Sequence, residues 1–187
     1  MKPTERQKEL YKKLSPLIGT EPKVIKYGDD TGENAIFIME CPDPLDKNVF
    51  FYATIGLSDY SLGDKKYELM ISGYSAQDKV GNILSTSAFF CIKDQWKVSE
   101  GVVFEKLVEM YYPTSEMKHV YFTTPYLWED KLEDFMVQNE EVHFLLAIPI
   151  SELEFELFKQ KGSDALETLL EENEIDIFDI NRKSILK

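Results

Sequence analysis

The chain has 187 residues, 43% apolar and 13% aromatic, with 34 acidic against 21 basic side chains and a formal net charge of −13. That composition predicts one folded, acidic, soluble domain over residues 1–187 and excludes general disorder. The negative field repels phosphates and so excludes direct nucleic-acid binding; the longest apolar runs, Val49–Tyr52 and Phe144–Ile150, fall far short of the roughly 20 residues that span a bilayer.

At the amino end, Thr4 and Gln7 form a capping box, and Leu10, Tyr11, Leu14 and Ile18 recur at helical spacing. They predict a short amphipathic helix that Pro16 disturbs. No export signal is visible in this charged opening, and Cys41 and Cys91 read as two buried thiols of a reducing cytosol, so a cytoplasmic protein is expected. Four strands follow at Val24–Tyr27, Ala35–Glu40, Val49–Ile55 and Tyr67–Tyr74, each β-branched or aromatic and bounded by turn residues. They outline an antiparallel meander.

Between Asn82 and Trp96 the apolar residues Leu84, Ala88, Cys91, Ile92 and Trp96 return to a helical period, with Asn82 or Ser85 available as cap. After an irregular stretch containing Gly101 and Pro113, His119–Thr123 and Val142–Ile148 read as strands. The second is apolar enough to be buried on both faces. Two helices close the chain. Ser151 and Glu154 form a capping box, with Ile150 and Phe155 as its hydrophobic staple. Ser163 caps a helix with Ala165, Leu166, Leu169 and Leu170 on one side and Asp164, Glu167 and Glu171 on the other. This order of elements predicts an α+β fold: a mixed, mainly antiparallel sheet packed with helices.

Charge is distributed unevenly. Residues 129–179 hold 16 acidic and 3 basic side chains, a net of −13 that equals the charge of the whole protein. Such a localised field suits a docking surface for a basic protein, and it equally suits two solvated helix faces.

Residue patterns for chemistry are sparse. His119 and His143 both fall in strands, where a packed or hydrogen-bonded histidine is the simpler reading. No Cys or His pair stands at zinc-ligand spacing, no stretch matches a calcium loop and no glycine-rich phosphate loop occurs, so no catalytic residue, metal or cofactor is assigned. Gly73-Tyr-Ser75-Ala-Gln77 follows a strand as a nucleophile elbow does, but Gln77 stands where the last glycine belongs. Paired carboxylates carry no signal in so acidic a chain.

The run Phe51-Tyr-Ala-Thr54-Ile-Gly56-Leu57-Ser58-Asp59, followed by Tyr67-Glu68-Leu69-Met-Ile71, resembles the paired signature of the suppressor-of-fused domain. Phe144 through Glu154, with Pro149 and Ile150 entering the helix, is similar to that family's apolar strand and helix start. Asp179-Ile-Asn181-Arg182-Lys-Ser184 is similar to its usual ending, so the pieces lie in order over most of the chain. The stretch from Gly101 through Tyr111-Tyr-Pro113, Met117-Lys-His119 and Pro125-Tyr-Leu-Trp128 resembles a bacterial subgroup of short, single-domain members that includes the YqcF-like antitoxins.

The resemblance implies an immunity protein, without catalytic residues, that binds and neutralises a cognate toxin, a nuclease, as a one-to-one complex. The Hedgehog role of animal members needs an additional carboxyl-terminal region and does not transfer. A nuclease carries a basic cleft for phosphate, so an acidic partner can occupy it and associate quickly. The candidate contacts are Glu152, Glu156, Asp164, Glu167 and Glu171, each also readable as an ordinary solvated carboxylate. Glu154 is explained by capping. The signature residues Thr54, Gly56, Ser58, Glu68, Pro149 and Arg182 read as fold determinants, with Arg182 as an internal partner for Glu68; the lesser reading is a lining of the partner groove. Two other functions stay open: a non-enzymatic peptide- or protein-binding regulatory module, and an enzyme with a nonstandard carboxylate site.

Overall fold

The computed structural model describes residues 2–60 and 65–187. Helix α1 (Glu5–Ile18) opens on the expected capping box: the Gln7 N–H donates to Thr4 Oγ1 at 3.1 Å and the Thr4 N–H to Gln7 Oε1 at 3.0 Å. Leu10, Leu14 and Ile18 enter the core, and the helix continues through Pro16 for two more residues. Strands β1 (Lys23–Gly28), β2 (Ala35–Pro42), β3 (Val49–Ile55) and β4 (Tyr67–Tyr74) form the antiparallel meander. Helix α2 (Val80–Asp94), strands β5 (Val102–Phe104) and β6 (Met117–Thr123), and a short helix α3 (Glu129–Leu132) follow. A hairpin of β7 (Met136–Val137) and β8 (Glu140–Glu141) leads to β9 (His143–Ser151), α4 (Glu152–Lys161) and α5 (Ser163–Glu172).

The main sheet has seven strands in the order β1-β2-β3-β4-β9-β6-β5, and only the β4–β9 pair is parallel. Strand β9 therefore lies inside the sheet with a core on each face. Phe144, Leu146, Ile148 and Ile150 join the residues of α1, α4 and α5, whereas Leu145 and Ala147 join those of α2. Period-two alternation between two apolar layers is the reason the strand is apolar throughout. Pro149 is compatible with this interior strand because β4 pairing ends at Ala147, leaving only β6 beside the residue that lacks an N–H.

Three local expectations are corrected. Helix α2 begins at Val80, before Asn82, and its cap Lys79 makes no side-chain bond; burying Val80 against the sheet outweighs the capping preference of Asn82 or Ser85. Ser163 is the first residue of α5 and does not cap it. A single residue, Gly162, with φ 84°, both ends α4 through its N–H to the Phe158 carbonyl at 2.8 Å and starts α5. The region between α2 and β9 also holds strands β5, β7 and β8, which are too short or too polar to carry a strand pattern.

Cys41 and Cys91 are fully buried in the two separate cores, on opposite faces of the sheet, and are free. Burial pushes each thiol up to about 12, with the charge of Glu40 adding to the effect at Cys41. Neither is a reactive thiolate at neutral pH. Among the described residues, no helix is long and apolar enough to cross a membrane.

Candidate functional site: a buried signature and an acidic groove

Glu68 on β4 is fully buried. The chain turns around it after β3, so that one carboxylate collects five donors. Oε1 accepts the N–H groups of Gly56 (3.0 Å) and Ser58 (3.1 Å) and the Ser58 hydroxyl (2.7 Å); Oε2 accepts the Thr54 hydroxyl (2.5 Å) and the Leu57 N–H (3.1 Å). Thr54 is itself oriented by accepting the Leu69 N–H at 2.8 Å. The turn requires Gly56: its φ is 109°, and a Cβ there would lie 2.4 Å from Gln7 Nε2. Burial pushes the Glu68 carboxyl above its ordinary value, against the hydrogen bonds from Thr54, Ser58 and Gly56. Helix α1 docks on the outside of this nest, where Arg6 donates to Ser58 Oγ at 2.8 Å and pairs with Asp59, and Gln7 Nε2 donates to Asp59 at 2.8 Å.

Arg182 is not the partner of Glu68. Its guanidinium forms a fork with Glu154, Nη1 to Oε1 at 2.8 Å and Nη2 to Oε2 at 2.7 Å, and Nη2 also donates to the Pro149 carbonyl at 2.9 Å. Glu154 accepts the N–H groups of Ser151 (2.9 Å) and Ile185 (3.1 Å) as well. Burial acts to raise this carboxyl, but the hydrogen bonds and charge of Arg182 prevail and hold it below the usual carboxylate range. One capping glutamate thus ties the carboxyl-terminal segment to the corner between β9 and α4. Gln77 makes a similar tie at the turn after β4. Its side chain accepts the Tyr74 N–H at 3.1 Å and donates to Asp179 at 3.0 Å, which gives the elbow-like sequence a structural use.

The five acidic candidates on α4 and α5 divide into two settings. Glu152 meets the buried His119, whose Nε2 lies 3.0 Å from its carboxylate; because Nδ1 accepts the Lys106 N–H at 3.0 Å, the ring proton sits on Nε2. Glu156 pairs with Lys159 on the same helix. Asp164 is exposed at the start of α5. Glu167, expected on a solvated face, is instead half-buried against the sheet. Tyr121 and Thr123, two residues apart on one face of β6, donate to its Oε1 at 2.7 and 2.8 Å. Glu171 lies one turn further along α5 on the rim of the same groove.

This groove encloses about 370 Å³ between β6, α5 and the segment after α5. Ile148, Leu170, Ile175 and Ile177 supply its apolar lining. Glu167 and Glu171 are joined there by Glu174, with the buried Tyr121 and the exposed Tyr126 also lining the groove. The sequence reading missed Glu174 and Tyr126. Glu174 lies beyond the end of α5 with φ 44°, so helical spacing from 167 and 171 does not place it; both Glu174 and Tyr126 reach the groove only through the fold. Among the described residues, no group of three or more His, Cys, Asp or Glu side chains is arranged to hold a metal ion.

The family model for suppressor of fused protein (SUFU) matches residues 32–183, a span containing the whole Glu68 nest and the Glu154–Arg182 fork. The chain belongs to the suppressor of fused family. It is 37% identical, over 98% of both chains, to the immunity protein YqcF of Bacillus subtilis (strain 168). Its fold is similar to that of a SUFU homolog from Neisseria gonorrhoeae FA 1090, with a TM-score of 0.71, 18% identity and coverage of 97% of this chain and 95% of that one. The structure of the Sufu–Fu complex gives a TM-score of 0.66 at 13% identity, covering 98% and 93%. Drosophila Suppressor of Fused gives 0.56 at 13% identity, with 87% of this chain covering 42% of that longer one.

Proposed function

We propose that this SUFU-family protein is a cytoplasmic immunity protein that neutralises a cognate toxin, a nuclease, by direct binding and without chemistry of its own. The observation that carries this reading is the 37% identity, along essentially the full length of both chains, to a protein named as an immunity protein. The charge of residues 129–179 supports the mode of action: a net of −13 beside a nearly neutral remainder attracts a phosphate-binding cleft and excludes nucleic acid from it. The contact surface comprises Glu152, Glu156 and Asp164 together with the groove carboxylates Glu167 and Glu171. Steered association of this kind is fast at low salt and slows as ionic strength rises.

The test is an inhibition assay with candidate nuclease toxin domains, first among them any toxin domain encoded by a neighbouring gene. Purified protein is expected to abolish the nuclease activity of its cognate at a one-to-one ratio, with an association rate that falls as salt is added. Full toxin activity in the presence of micromolar excess protein overturns the reading.

A further inference from the structure

We infer that the groove between β6 and α5 is a receptor for an arginine side chain presented by a protein partner. At about 370 Å³ it stands at the small end of ligand pockets, which run roughly 300–1,000 Å³, so it has room for a side chain and its neighbours. Its apolar floor, Ile148, Leu170, Ile175 and Ile177, suits an aliphatic stem. Its charged lining residues are the three carboxylates Glu167, Glu171 and Glu174, with no basic side chain beside them among the described residues. An anionic or phosphate-bearing ligand is repelled by such a lining and a cation is drawn in.

Two features select arginine over lysine. Tyr121 and Thr123 both hold Glu167 Oε1, which fixes the carboxylate before any partner arrives; among the described residues Oε2 makes no hydrogen bond. A pre-oriented acceptor favours a planar guanidinium, whose donors have a fixed geometry, over a flexible ammonium. The exposed ring of Tyr126 adds a face on which a guanidinium stacks, whereas Tyr121 is fully buried and acts by holding Glu167. Tyr126 is 47% exposed, so an incoming side chain can reach it from solvent. The identity of the partner rests on the immunity reading above, whereas the arginine site can be tested without any partner.

The probe is N-acetyl-L-argininamide, titrated into the methyl-labelled full-length protein and followed by NMR. Saturable shifts are expected at the methyls of Ile148, Leu170, Ile175 and Ile177. The uncharged isostere N-acetyl-L-citrullinamide, and the Glu167→Gln/Glu171→Gln variant titrated with the arginine probe, should each bind about tenfold more weakly. Absent or unsaturable shifts, or equal binding of the citrulline compound, overturn the proposal. Equal binding of N-acetyl-L-lysinamide overturns the choice of arginine. If the toxin domain is bound while this titration fails, the groove assignment falls alone; if the titration succeeds and the toxin is not bound, the immunity reading falls alone.

Discussion

Replacing Glu68 with alanine is expected to destabilise the protein by about 3–5 kcal/mol, enough to unfold a marginally stable domain. The size follows from what is left behind. Thr54, Gly56, Leu57 and Ser58 direct five donors at one fully buried carboxylate, and alanine offers none of them an acceptor. Glu68→Gln conserves the volume but turns an amide N–H₂ toward donors, so it should lose about 2–3 kcal/mol through unsatisfied groups. Urea unfolding checks both: the midpoint should fall in the order wild type, Gln, Ala, with little change in slope. A Glu68→Gln protein as stable as wild type would show that the nest does not act as an anion receptor.

The second large effect is at Arg182. Arg182→Met keeps much of the stem but leaves the Glu154 carboxylate buried without its cation, a loss of about 3–5 kcal/mol at neutral pH. The pH dependence has a definite sign. Glu154 is held below its ordinary value in the folded protein, so its contribution is complete above the unfolded pKa of about 4.3 and is lost as pH falls through the folded value. Without Arg182, burial alone acts on Glu154 and raises it, so the stability difference between wild type and Arg182→Met should shrink progressively as pH falls, from the raised value of Glu154 in the variant down to its lowered value in the wild type. Unfolding curves at several pH values measure it directly. A difference that grows in acid contradicts the assigned direction.

Legibility in the sequence tracks how local each determinant is. The α1 capping box and the Ser151–Glu154 box involve residues three apart, and both form as the pattern requires. Strand β9 is readable because an interior strand between two cores leaves no polar alternation. The start of α5 is not, because the one-residue link Gly162 takes over the cap role that Ser163 suits by type. Thr54, Gly56, Ser58 and Glu68 stand out only through the family resemblance, and their roles needed the fold to appear. Glu154 shows the limit most clearly. Capping fully explains it at the local level, which conceals that its carboxylate has room for the Arg182 fork, 28 residues away. Glu167 has the reverse history: the helical pattern places it outward, but Tyr121 and Thr123, more than 40 residues earlier, draw it toward the sheet.

The groove differs from the two buried nodes in having unspent charge. In the nest and the fork every carboxylate oxygen is satisfied internally, whereas Glu171 and Glu174 have no ion-pair partner among the described residues and Glu167 is only half committed. The same amino-acid type is thus structural where donors surround it and available for binding where they do not.

In the proposed immunity role, this local acidity rather than net charge alone holds the toxin partner. The measurement is the calorimetric affinity for the toxin domain of two triple variants with identical net charge. One is Glu167→Gln/Glu171→Gln/Glu174→Gln in the groove; the other is Glu5→Gln/Glu21→Gln/Glu33→Gln at exposed positions elsewhere. The groove variant is expected to bind at least about tenfold more weakly than wild type and the control within about twofold. Equal losses in the two variants, or none in either, would contradict an acidic docking surface at α5.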